Sequence, residues 1–219
     1  MFKRIKFIVF VFIYPYIALI ASTNDTIWTQ YKDGEFTTQC QQRVKVSNRV
    51  GTEVADYLVT DFDNSPGHLF NWALKDLGLQ NKGNELIIVF KSSNKDLNTG
   101  ITLGVFDIIV PNVTSFKDVR VKAIVSKTKY KNGINKVTAD IIYSALLLDK
   151  AYCVFTVVPQ KNNEQLFVSN IKIKFGWFFN LFITQRRYKS IVEWRIKKFV
   201  ENMKDEAERK ENKPLTPKG

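Results

Sequence analysis

Side chains able to do chemistry are sparse in this chain. His68 is the one histidine among 219 residues, and Cys40 and Cys153 are the two cysteines. A zinc site built from histidines is therefore excluded, and a mixed one would need two cysteines distant in sequence to meet. His68 follows a helix-start signal, Ser65-Pro66-Gly67, where the positive end of the helix dipole disfavours a charged imidazole. Ser65 and Ser92 lack the context of a nucleophile elbow. Asp61-Phe62-Asp63-Asn64-Ser65 opens like a calcium loop, but the sixth position is Pro66 rather than glycine and the twelfth is Trp72 rather than an acid, so it reads as turn and cap. Glycine-rich phosphate loops are absent. On these grounds no catalytic residue, metal or cofactor is assigned. Cys40 and Cys153 could bridge in an oxidising compartment, or each could be an ordinary buried thiol. Asn112-Val113-Thr114 matches a glycan acceptor.

The formal charge of +12 stays basic even without Lys3, Arg4 and Lys6. Such a balance suits polyanions in general. No cluster of Arg and Lys with interleaved aromatics is present, so nucleic acid is not an expected partner, whereas an anionic membrane surface is kept as one. Residues 1–22 combine a short basic start with an apolar run, Phe7 to Ala21, that ends in small residues. This pattern reads as a signal peptide, and the run is shorter than the roughly 20 residues a membrane span needs. The protein is expected to be exported, whether periplasmic, extracellular or anchored by an uncleaved signal. Residues 23–209 then read as a single domain and 210–219, with two prolines and no apolar periodicity, as a disordered tail.

The elements that would position any site are mostly strands. Asn24 to Gly34 reads as an extended lead-in, Phe36 to Val46 alternates as a strand, Asn48 to Gly51 breaks it, and Val54 to Phe62 is a second strand. A short helix, His68 to Leu77, follows with Leu69, Trp72 and Ala73 inward. About five strands come next: Glu85 to Ser92, Ile101 to Val110, Val119 to Tyr130, and Ile134 to Val158 with a break near Leu148-Asp149-Lys150, then Gln165 to Lys174. Lys131-Asn132-Gly133 marks a hairpin between two of them. Phe175 to Phe182 is a dense aromatic run, which suits either core packing or the wall of a ligand cavity or a membrane contact. Last comes a helix, Arg186 to Arg209. At 100° per residue Tyr188, Val192, Ile196, Phe199, Val200, Met203 and Ala207 form one stripe within about a third of its circumference, interrupted by Lys189 and Glu206. Trp194 falls off that stripe. Successive strands joined by short turns argue for an antiparallel sheet, with the helices covering one face.

Tyr57 to Pro66 followed by Leu69 to Asp76, and Gly176-Trp177-Phe178 ahead of a long helix bearing Glu201-Asn202-Met203-Lys204, resemble the START-like, polyketide-cyclase-like (SRPBCC) superfamily over about residues 55–209. The resemblance implies an α+β fold in which an antiparallel sheet wraps on the C-terminal helix, a helix grip, around an apolar cavity used for lipids and other hydrophobic small molecules and sometimes for catalysis. On that architecture the ligand contacts expected are Phe175, Trp177, Phe179, Tyr188, Val192, Ile196 and Phe199, which combine the inward face of the last strand with the helix stripe. The leading functional reading is non-catalytic binding of a hydrophobic or amphipathic, lipid-like small molecule. Its alternatives are a cyclase- or hydrolase-type enzyme in the same cavity and a basic envelope-associated interaction protein with no ligand cavity. N-terminal sequencing of the exported protein is expected to start after Ala21 or Ser22, or to find the leader held in a membrane. An intact soluble chain beginning at Met1 would refute the assignment.

Overall fold

The computed structural model describes residues 26–76, 87–110, 114–144, 148–177 and 183–212. Helix α1 (Asn48–Asn64) occupies the stretch expected to hold a break and then a strand, Val54 to Phe62. That expectation is corrected by the burial pattern: Val50, Val54, Ala55, Leu58 and Asp61 are buried at helical spacing. Valine and threonine raise strand propensity locally, and here a tertiary surface overrides them. Gly51 lets the helix approach the sheet, since a Cβ there would lie 2.9 Å from Val157 Cγ1. Ser47 starts the helix by accepting a bond from the Val50 N–H. A 3-10 turn, Pro66–Asn71, and a further turn stand where the helix His68 to Leu77 was expected. Leu69 and Ala73 are buried, as their inward assignment requires.

Two strands precede α1. The lead-in is itself a strand, β1 (Thr26–Lys32), joined to β2 (Glu35–Val44) by Asp33 and Gly34 at φ values of 52° and 79°. Asp-Gly is the dipeptide that such tight hairpins favour, because both residues sit at positive φ. Six strands follow the 3-10 turn: β3 (Ile87–Lys95), β4 (Thr102–Val110), β5 (Thr114–Lys129), β6 (Asn135–Ser144), β7 (Leu148–Pro159) and β8 (Gln165–Phe175). All pair antiparallel in one eight-stranded sheet of order β1-β2-β8-β7-β6-β5-β4-β3. Register shifts at Phe90/Ser92, Phe106/Ile108 and Lys122/Ala123 fall in the β3–β6 half, where bulges of this kind bend strands and help the sheet curl.

The C-terminal helix consists of α2 (Gln185–Tyr188), a π-helical turn (Lys189–Glu193) and α3 (Trp194–Glu211). It continues past Arg209. Tyr188 is fully buried, its ring stacked on Phe36 at 3.9 Å between centroids and edge-on to Phe175 at 6.1 Å. Its hydroxyl accepts a bond from Thr38 Oγ1, and burial pushes its pKa up to about 12. At the far end, Val200, Met203 and Ala207 are buried in the same core as Val44, Val46, Val50 and Val54. Glu211 Oε2 takes hydrogen bonds from both the N–H and the hydroxyl of Ser47, linking the end of the last helix to the start of the first. Glu206, which interrupts the apolar stripe, is buried under a two-pronged bond from Arg209.

Asn202 is buried and donates from Nδ2 to the carbonyls of Ala73 (3.1 Å) and Lys75 (2.9 Å), fastening the turn after Leu69 to α3. Asn202→Ala is expected to lower unfolding free energy by about 1–3 kcal/mol, since two carbonyls lose their donor. Urea titration by circular dichroism measures it; a change within experimental error would show that the link carries no stability.

Candidate functional site

Between the concave face of the sheet, α1 with its 3-10 turn, and the C-terminal helix lies a cavity of about 440 Å³. Its floor is made of cross-strand rows. Val125, Ala139, Cys153 and Ile171 stand opposite one another across β5, β6, β7 and β8, and all four line the space. A neighbouring row runs Val137, Phe155, Ser169 across β6, β7 and β8. Small residues at Gly104, Ala123 and Ala139 leave the floor low where larger side chains would fill it. Leu58, Phe62, Leu69 and Leu74 close the opposite side. Val192, Arg195, Ile196 and Phe199 descend from the C-terminal helix.

The polar content of this wall is small. It comprises Arg195, Cys153 and the hydroxyls of Ser93, Thr102 and Ser169. Thr102 Oγ1 is buried with no partner among the described residues. No aspartate, glutamate or histidine is among the described lining residues. Burial pushes the Cys153 thiol up to about 12, so it is protonated and inert at neutral pH. Burial likewise draws the Arg195 guanidinium down to about 10, which leaves it charged at neutral pH. His68 is about half exposed and outside the wall, with Nδ1 3.4 Å from Asp61 Oδ2. That carboxylate also accepts the Trp72 indole N–H at 2.7 Å, which makes Asp61 a fastener of the 3-10 turn rather than part of a calcium loop. Among the described residues no group of three or more His, Cys, Asp or Glu could hold a metal ion. No disulfide joins Cys40 and Cys153. Cys40 pairs with Ser169 and Cys153 with Ile171 on opposite sides of β8, so two strand spacings of roughly 5 Å each separate them, beyond disulfide reach.

The architecture is a helix grip. An antiparallel sheet holds a long C-terminal helix across its concave face, and the cavity lies between them. In fold the chain resembles START-like proteins. A START superfamily protein from Mycobacterium smegmatis superposes with a TM-score of 0.48 at 10% identity, covering 79% of this chain and 97% of that one. Norcoclaurine synthase from Thalictrum flavum gives 0.45 at 14% identity, over 84% and 86% of the two chains. An uncharacterised protein from Bacillus thuringiensis gives 0.45 at 10% identity, over 77% and 96%. No family model and no curated protein matches the sequence. Likenesses this distant carry no functional weight, and function has to be read from the cavity wall.

Of the residues expected to contact a ligand, Val192, Ile196 and Phe199 line the cavity. Phe175 and Tyr188 are elsewhere, packed with Phe36 into the aromatic cluster that anchors the helix. Trp177 is 74% exposed, and Phe179 lies outside the described residues. Trp194, expected off the stripe, is half-buried and lies beside Arg195. The sheet floor contributes most of the wall and was absent from the expected set. So was Arg195, although a signal existed: seven positions after Tyr188, it falls about 20° away at 100° per residue, just past the Tyr188 edge of the apolar stripe. Its charge hid it from a list drawn on hydrophobicity.

Cys153 offers a direct probe of this wall. In native protein at pH 8, iodoacetamide should modify it at least about a hundredfold more slowly than in urea, because burial suppresses the thiolate. Peptide mapping by mass spectrometry reads the rates, and equal labelling in both conditions would place the thiol in water.

Proposed function

We propose that the protein binds an apolar or amphipathic small molecule between its sheet and its C-terminal helix, without turning it over, and that it does so after export. The observation that carries the reading is the cavity itself, about 440 Å³ with walls that are almost entirely hydrocarbon and aromatic. Space of this kind is unfavourable for water, which needs two to four polar partners, and favourable for an apolar guest. Six strands contribute to the lining, so it is a constructed surface rather than a local packing fault. A completely filled core, the picture behind the envelope-associated alternative, is at odds with this space. The cyclase or hydrolase alternative would need converging acid and base groups, and the wall offers none among its described residues. Export rests on the basic-then-apolar leader, and the basic net charge suits a protein that collects or delivers its guest at an anionic membrane surface.

The test is binding of an environment-sensitive naphthalene dye by the full chain and by Ala139→Phe, whose ring would project from the floor into the cavity. The wild type should bind the dye saturably, and the variant should bind about tenfold more weakly with an unchanged circular dichroism spectrum. Absence of saturable binding by the wild type, across the dye and a panel of fatty acids and sterols, would end the proposal.

A further inference from the structure

Charge is unevenly matched at one end of the sheet. The tip between β5 and β6 carries Lys129, Tyr130 and Lys131, the tip between β7 and β8 carries Lys161, and Lys45 follows β2 on the way into α1. Register brings these segments to the same end: Lys129 pairs with Asn135, Asn135 with Val157, Pro159 with Gln165, and Gln165 with Val44. Gly133 lies so close to Pro159 that a Cβ there would be 3.2 Å from its Cγ, which sets the two tips side by side. A groove lined by Asn48, Arg49, Lys129 and Asn132 joins them to the first turn of α1.

The acids at this end are already engaged. Glu53 pairs with Arg49, Asp56 with Lys127 and Glu164 with Arg43, while Glu211 takes the N–H and hydroxyl of Ser47. Lys45, Lys129, Lys131 and Lys161 are exposed, and none of them forms a salt bridge among the described residues. The end is therefore blunt and carries an excess of positive charge. Tyr130, 46% exposed between two of these lysines, is the exposed large ring among its described residues. The backbone fixes its place: the Tyr130 N–H donates to the Ile134 carbonyl at 2.9 Å, and its carbonyl accepts the Gly133 N–H at 3.0 Å.

The chemistry favours a surface of anionic head groups. Ammonium groups act as hydrated point charges, and each one held near an anionic leaflet adds to the attraction. A tyrosine, with an apolar ring and a polar tip, is favoured at head-group level. Nucleic acid would favour the forked geometry of arginine or several rings on which successive bases stack, and a single tyrosine among lysines supplies neither.

We propose that this end of the molecule docks on an anionic lipid bilayer, with Lys45, Lys129, Lys131 and Lys161 on the head groups and Tyr130 at their level. This rests on the reading that the protein works at an anionic membrane surface and names the face that meets it. Behind the end stands filled core, Val44, Val50 and Val157, none of which is among the described lining residues of the cavity. The docking surface can thus be altered without touching the cavity wall.

The experiment sediments the full chain with vesicles of phosphatidylcholine, alone or mixed equally with phosphatidylglycerol. The variant Lys129→Glu/Lys131→Glu/Lys161→Glu should lose about a hundredfold or more in partitioning onto the anionic vesicles. The variant Lys122→Glu/Lys150→Glu/Lys174→Glu makes the same change in net charge toward the other end of the sheet, beyond the roughly 10 Å screening length, and should lose less than about fivefold. Tyr130→Trp should gain emission quenched by brominated lipid, beyond any quenching seen in the wild type, and this readout decides alone if circular dichroism shows the first variant unfolded. Unchanged partitioning of the first variant, an equal loss in both, or no gain in quenching would overturn the docking surface; saturable dye binding, measured separately, would then still stand for the cavity. Loss of dye binding with docking retained would remove the guest and leave this surface. Tighter binding of a single-stranded oligonucleotide than of the vesicles, lost in the same first variant, would overturn the lipid partner in favour of nucleic acid.

Discussion

Tyr188 at one end of the C-terminal helix, and Met203 with Ala207 at the other, are completely buried, and these two anchorages dictate where the helix can lie. At the first, three aromatic rings from β2, β8 and α2 interlock, with the phenol hydroxyl satisfied by Thr38. At the second, α3 packs with α1 and the end of β2, and Asn202 and Glu211 tie it to neighbouring backbone. Aromatic stacking and full burial at each end contribute several kcal/mol, enough to hold the helix across the sheet without continuous packing between them. The cavity follows from that geometry. Val192, Ile196 and Phe199 lie between the anchorages, above a floor in which Phe155 meets Phe199 edge-on at 5.6 Å while Gly104, Ala123 and Ala139 leave room beside that contact.

The strands were largely legible because alternation survives wherever one face is wet. Gln165 to Lys174 and Phe36 to Val46 alternate in sequence and pair in the sheet. Val54 to Phe62 misled because its valines and threonine favour strands locally, while Val50, Val54 and Leu58, four apart, carried the helical period. Asp33-Gly34 gave a hairpin signal, but the polar lead-in before it has no buried face to alternate; β1 is an edge strand whose burial is only partial.

Of the candidate site, the part on the helix was readable and the floor was not. A stripe on one helix can be computed from spacing alone, whereas the row Val125, Ala139, Cys153, Ile171 brings together residues from four strands and exists only once the register is known. Phe175 and Tyr188 were placed correctly on inward faces, yet facing inward does not distinguish an anchor from a wall. Arg195 shows the complementary blind spot. A cation bordering an apolar stripe and drawn out of water carries a desolvation cost, so its position is itself informative.

The contact between Ser47 and Glu211 spans 164 positions, and β2, paired with β1 on one side, finds its other partner in β8. Loop closure over such separations is slow, and the sheet's apolar face stays open until the final helix arrives. During synthesis the floor of the cavity therefore exists as an exposed sticky surface before it becomes an interior. A hydrophobic molecule or a chaperone able to cover that surface would act on the folding route as well as on the finished fold.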